Sequence, residues 1–232
     1  VRQPDPADPG PDALNLCRQR AAAEGDAPPC ASASTWSGNP RQTDGVTTLF
    51  EPARLGPLTL RNRIAMSPMT MYRSVDGLMN DYHVMLMGSR AAGGFGLVFP
   101  EQLAITPDGR TGTHCAGIYD DSQIEGLSRM TSMVKAMGAV PAAQLGHTGR
   151  KGSEMKPWDG KLQISPEHPD GWQVRGPSPI MYGGRYTFPV HELTVDEIRE
   201  IHRAYARAAQ RALNSGFEWL EMHFAHGYLG AS

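Results

Sequence analysis

Apolar positions along the chain follow two alternating rhythms from Leu49 onward. Short apolar runs of strand length occupy residues 63–69, 95–99, 140–145 and 217–223. Stretches with apolar residues at helical spacing lie between them. Ile124, Leu127, Met130, Met133, Val134 and Met137 mark one such face, which stops at Gly138 as a C′ glycine would stop it. Ile198, Ile201, Tyr205, Ala208, Ala212 and Leu213 mark another. It follows a Thr194-x-x-Glu197 capping box and stops at Gly216. A weaker helical pattern runs from about Asn80 through Tyr82, Met85, Leu86 and Ser89 to the Gly93-Gly94 break. Strand, loop, helix and glycine stop therefore recur in order, which predicts an α/β fold of βα units on a parallel sheet with four strand signals.

Residues 1–47 break the rhythm. They are rich in Pro, Ala, Asp, Gly and Ser, and residues 13–24 have room for one short helix. A tail or linker is the expectation for this segment. The alternative is a remnant of an upstream domain, which Trp36 and the cysteines favour. Residues 151–189 form a long loop with prolines, glycines and aromatics, and loops of that length in compact domains usually serve an active site.

Charge and composition remove several function classes. The 22 Lys and Arg against 24 Asp and Glu give a net charge of -2 at pH 7, and the cations are scattered rather than striped, so neither nucleic acid nor a membrane surface is expected as a partner. No run of about 18 apolar residues is present, and the start lacks a basic segment followed by an apolar one. Cys17, Cys30 and Cys115 have no C-x-x-C spacing, so reduced thiols and a cytoplasmic location are the expectation. A small-molecule substrate remains as the expected partner, and self-association into a homo-oligomer is allowed.

In βα architectures reactive groups gather at the C-terminal ends of the strands. Those ends carry Ser67, Pro68, Met69, Thr70 and Tyr72, then Glu101 and Gln102, then Gln144, and finally His223-Phe224-Ala225-His226-Gly227-Tyr228. Two histidines three apart just past a strand can aim two donors at one oxygen whose negative charge grows in a transition state. A tyrosine two residues later can give a proton nearby. The same His-x-x-His spacing also suits a metal site or a satisfied structural pair, although no carboxylate or cysteine at ligand spacing accompanies it. Gln144 is either a buried amide bonded to backbone or an amide facing a flavin or nucleobase edge. His83, His114 and His147 are taken as structural. No G-x-G-x-x-G follows the first strand, and Gly93-Gly94-Phe95-Gly96 precedes a strand, so a Rossmann dinucleotide site is unsupported.

Several motifs in register resemble the Old Yellow Enzyme family of flavin oxidoreductases. They are Leu49-Phe50-Glu51-Pro52, Leu58-Thr59-Leu60-Arg61-Asn62-Arg63-Ile64 leading into Ser67-Pro68-Met69, Ser89-Arg90-Ala91, Gln144-Leu145-x-His147-x-Gly149-Arg150-Lys151, Pro177-Ser178, and His223-x-x-His226-Gly227-Tyr228-Leu229. The resemblance implies a (β/α)8 TIM barrel that holds FMN at its C-terminal face, with NADPH or NADH as reductant and an activated alkene as hydride acceptor. Ser67, Pro68, Met69 and Thr70 would line the flavin, and Gln102 and Gln144 would face its ring system. His223 and His226 would bind the substrate carbonyl, Tyr228 would protonate the α-carbon, and Tyr72 would hydrogen-bond on the substrate side. No metal is implied.

Three departures qualify the resemblance. Thr70 stands where one bacterial subgroup has a redox-tuning cysteine, and Gln102 where a small residue is common. The third is length, since an eight-stranded barrel takes roughly 250 residues and only four strand signals are present. The expectation is therefore the N-terminal half of the barrel over residues 48–232, inactive by itself and without the second-half arginines that grip the FMN phosphate. Two other readings stand beside the ene-reductase. One is the reductase module of a flavin monooxygenase fusion acting on aryl-CoA thioesters. The other is a non-catalytic half-barrel that serves as a binding or assembly module.

Overall fold

The structure, a computed structural model, describes residues 48–232 except residue 161. The expected tail at 1–47, its short helix, Cys17 and Cys30 lie outside the described residues. The described chain opens with an antiparallel hairpin, β1 (Ala53–Leu55) and β2 (Leu58–Leu60), which the apolar pattern does not announce. A parallel sheet follows. β3 (Ala65–Met66) pairs with β4 (Leu97–Val98), and β4 pairs with the start of β6 (Val140–Gly146). The short β5 (Leu103–Ala104) pairs with the end of the same edge of β6, with Leu103 opposite Leu145. β4 and β5 are thus two parts of one strand position. On its other edge β6 pairs with β9 (Trp219–Met222) over Ala142–Trp219 to Leu145–Met222.

Three helices cover one side of this sheet: α1 (Asp81–Ala92), α2 (Ile124–Ala136) and α3 (Val195–Asn214). Each predicted stop signal is in place. Thr194 and Glu197 form the reciprocal capping box of α3, and Gly138 and Gly216 take φ of 77° and 84° just past α2 and α3, where a side chain would be disfavoured. Asn80 caps α1 in the same reciprocal manner with His83.

Strand alternation sorts the residues onto two faces. Met66, Val98, Ala143 and Leu145 pack against Met87 and Ala91 of α1, Leu127, Met130 and Val134 of α2, and Ile201, Ala204, Ala208 and Ala212 of α3. Fully burying one such Leu or Met side chain contributes about 1.5–3 kcal/mol, so this layer carries most of the stability. The opposite face holds a smaller cluster of Leu97, Phe99 and Ala142 with Leu60, joined by Leu55, Val140 and Trp219. The hairpin therefore plugs that inner face at the N-terminal ends of the strands.

The predicted strands were too long at two points. The run at 63–69 ladders only over Ala65–Met66, because the Ile64 N–H is drawn to the Asn62 side chain at 3.1 Å and Pro68 has no N–H to donate. The run at 95–99 ladders only over Leu97–Val98, since Pro100 interrupts it. Glu101 and Gln102, expected at the end of the second strand, sit instead in the break between β4 and β5. The long loop holds β7 (Arg175–Gly176), which pairs in parallel with β8 (His191–Glu192) just beyond the loop's end. Among the described residues the sheet has four parallel strand positions and does not close into a barrel.

Candidate active site

β6 and β9 lie side by side and set the site. The His223 N–H donates to the Leu145 carbonyl at 2.8 Å, carrying the β6–β9 ladder one residue past β9. Trp219, Glu221 and His223 alternate along this strand, so Glu221 and His223 share the inner face with Gln144 of β6. The chain then turns sharply at His226 and Gly227, with φ of 58° and 67°, and the Leu229 N–H returns to the His147 carbonyl at 3.0 Å.

This turn folds three rings together. The His223 and His226 ring centroids are 5.1 Å apart at 80°, and His223 and Tyr228 are 4.6 Å apart at 30°. His226 and Tyr228 are 6.5 Å apart. The Ala225 N–H donates to His223 Nδ1 at 3.3 Å, which leaves Nε2 as the proton-bearing nitrogen of the neutral ring and hence a donor. Burial first, and His226 second, hold the His223 pKa below that of an ordinary histidine. The ring is therefore neutral near pH 7. Burial raises the Tyr228 pKa, with the nearby Thr111 acting the other way, so this phenol keeps its proton until a strong base forms beside it.

Tyr72 belongs to the same neighbourhood. It takes φ of 54°, and its pKa is raised by burial and then by the nearby Cys115, Glu154, Tyr228 and Glu101. A cavity of about 310 Å³ opens beside Tyr72, lined by Glu154, Met155 and Ile164 among others, whereas His223, His226 and Tyr228 stand outside its lining. Cys115 is buried and its thiol is pushed up to about 12, an inert neighbour rather than a nucleophile.

The expected cofactor residues gather at the same strand ends in two groups. Gln144 Nε2 donates to Glu221 Oε1 at 2.5 Å, which turns the carboxamide oxygen into an acceptor for something else. Gln102 Oε1 is buried with no hydrogen-bond partner, and its amide lies so close to Gly146 that a Cβ there would fall 2.5 Å from Gln102 Cδ. Two amide oxygens seeking donors at the strand ends fit the N–H of a flavin's pyrimidine edge. Ser67 and Met69 are exposed and Pro68 and Thr70 half-buried in the extended segment leaving β3, where they can line a planar ring.

Of the three histidines taken as structural, two have evident packing roles. His83 Nδ1 accepts from the Asn80 N–H at 3.2 Å, and its Nε2 lies 3.3 Å from Glu101. His147 is fully buried, accepts from the Gly149 N–H at 3.0 Å, and holds Nε2 3.8 Å from Asp108, which pairs with Arg175 at 2.8 Å. Burial pushes its pKa down to about 4, against Asp108. Among the described residues no three His, Cys, Asp or Glu side chains are placed to hold a metal ion, and no helix is long and apolar enough to cross a membrane.

Glu221, Thr111 and Lys151 were missed by sequence reasoning. Glu221 was legible, since it shares the two-residue alternation of Trp219 and His223. Thr111 and Lys151 carry no such signal, because their approach depends on how loops fold back over the strand ends.

Parallel βα units whose strand ends gather a His-His-Tyr cluster and two acceptor amides define one half of a flavin-dependent TIM barrel. The chain belongs to the NADH:flavin oxidoreductase / NADH oxidase family, whose model matches residues 48–231. Members pair FMN with a nicotinamide reductant. The chain is 40% identical over 183 residues to an NADPH dehydrogenase of Bacillus licheniformis, covering 78% of this chain and 49% of that protein. Among solved structures it is similar to morphinone reductase, with a TM-score of 0.67 and 32% identity over 78% of this chain and 49% of that one. It is also similar to the old yellow enzyme homologue from Zymomonas mobilis, with a TM-score of 0.66 and 30% identity over 78% and 50%. The chain spans about half the length of these relatives and corresponds to their N-terminal half.

Proposed function

We propose that this chain carries the substrate-polarising half of an FMN-dependent ene-reductase, which reduces the C=C bond of α,β-unsaturated carbonyl compounds, enones or enoyl thioesters, with NADPH or NADH. The observation that supports this reading is the convergence of His223, His226 and Tyr228, with the free nitrogen of His223 fixed as a donor. When bound, FMN supplies two-electron chemistry, accepting hydride from the nicotinamide and delivering hydride to the substrate β-carbon. Gln102 and Gln144 would accept hydrogen bonds from it, and Ser67, Pro68, Met69 and Thr70 would line it.

His223 and His226 donate to the carbonyl oxygen and stabilise the negative charge that grows there as the β-carbon is reduced. A donor so placed is worth about 100-fold or more in rate. Burial serves this role by keeping His223 neutral, so it binds oxygen without standing as a permanent cation. Tyr228 transfers its O–H proton to the α-carbon, which completes the saturated product and leaves a phenolate that solvent reprotonates. Tyr72 hydrogen-bonds on the substrate side. The reaction belongs in the cytoplasm, where the reductant is supplied.

The test is a visible spectrum of the complete gene product. A flavin spectrum that NADPH or NADH bleaches under anaerobic conditions, and that an added enone restores, is the expected result. A colourless protein that takes up no FMN would sink the reading in favour of a binding or assembly module.

A further inference from the structure

Lys151 ends a 3-10 turn, Gly149–Lys151, just past β6. Its Nζ donates to the His226 carbonyl at 2.8 Å. The same ammonium lies 4.4 Å from the centroid of the Tyr182 ring, 5.7 Å from that of Tyr228 and 5.8 Å from that of Tyr186. Lys135 and Lys156 pair with carboxylates, but among the described residues Lys151 has aromatic faces and a carbonyl around it instead. Three electron-rich faces around one half-buried cation attract it more strongly than an exposed pair would.

The cage joins two segments far apart in sequence. Tyr182 and Tyr186 come from the long loop, and His226 and Tyr228 from the turn after β9. Tyr182 also lies against Gly227, where a Cβ would fall 2.6 Å from its Cε2. The turn needs such support, because His226 adopts a left-handed backbone conformation that a residue with a side chain rarely holds unaided. A bond to its carbonyl and a ring on the next residue supply it.

We infer that Lys151, gripped by Tyr182 and Tyr186, is a positioning residue that fixes the His226-Gly227-Tyr228 turn and makes catalytic geometry depend on the docking of the long loop. The inference rests on the function proposed for His223, His226 and Tyr228. It assigns Lys151 no contact with substrate or cofactor.

Histidine ring NMR on the complete protein tests it without turnover. Lys151→Met is expected to shift the His223 and His226 ring signals and leave those of His83 and His147 in place. Tyr182→Leu, a change at a half-exposed residue, is expected to move the same two signals by less, and it carries the test should Lys151→Met fail to fold. Unchanged His223 and His226 signals in the folded variants would overturn the inference. In the FMN-loaded protein, Lys151→Met is expected to slow flavin reoxidation by an enone about tenfold or more, and to cost no further rate in a His226→Ala, Tyr228→Phe background. A full additional loss in that background would show that Lys151 acts independently of the turn. If Tyr228→Phe alone leaves the rate intact, the functional reading fails, and the NMR shifts still decide the positioning role.

Discussion

Gln144 of β6 donates through Nε2 to the Glu221 carboxylate of β9 at 2.5 Å, across a register pair of the two strands. The bond fixes which end of the carboxamide faces the site, since a nitrogen committed to Glu221 leaves only the oxygen to greet a ligand. Glu221→Gln can offer either a donor or an acceptor and removes that constraint. Loss of one hydrogen bond to a charged group corresponds to about a tenfold weakening of FMN binding, readable by fluorescence titration of the flavin. An unchanged dissociation constant would show that Gln144 does not meet the cofactor.

Much of this arrangement was legible in the sequence because it is local. The Thr194-x-x-Glu197 box, the stops at Gly138 and Gly216 and the helical face of Ile124 to Val134 all rest on interactions between residues a few positions apart, and all three appear in the fold. Strand lengths were less legible. Asn62 and Pro68 curtail β3 and Pro100 splits the second strand position, effects that depend on where each N–H finds its acceptor. The His223, His226 and Tyr228 cluster followed from its spacing at a strand end. Of the residues around it, Glu221 shares the alternation of its strand, whereas Thr111 and Lys151 come from loops and leave no periodic trace.

His147 makes stability depend on pH. In the unfolded chain it titrates with the ordinary pKa of 6.5, whereas in the folded protein it is held to about 4. Between these values the unfolded chain binds a proton that the folded chain does not. Stability is therefore expected to fall as pH drops from 6.5 to about 4, by about 3 kcal/mol in total, and to level off from this source below that. His147→Asn, which keeps an acceptor near the Gly149 N–H and does not titrate, should flatten the slope in urea unfolding at a series of pH values. An equal slope in the variant would assign it to other groups.

Gly149 takes φ of 61°, and a Cβ there would meet the backbone of Leu229 at 3.0–3.1 Å. Gly149→Ala is expected to cost roughly 1–2 kcal/mol from the left-handed backbone alone. It should also lower enone turnover, because Leu229 follows Tyr228 directly. Thermal unfolding and steady-state rates measured together check both halves of this expectation. A variant less stable but fully active would show that the Leu229 contact does not transmit to the tyrosine.

Thr194→Ala removes the hydroxyl that accepts from the Glu197 N–H and should destabilise α3 by about 1 kcal/mol. Since α3 lies on the helix-covered side of the sheet, away from the His223 and Tyr228 rings, the rate with enone should not change. Denaturant midpoints and steady-state assays separate the two effects.

The central claim is that His223 and His226 hold the substrate oxygen while Tyr228 supplies the proton. It is tested most directly by reducing the FMN-loaded complete protein anaerobically and following its reoxidation by an enone in stopped flow. The account predicts that the His223→Ala, His226→Ala double variant, folded and flavin-loaded, reoxidises slower by about 100-fold or more, while Tyr228→Phe slows the reaction and loses most of its solvent deuterium isotope effect. Reoxidation of the double variant at the wild-type rate would contradict it.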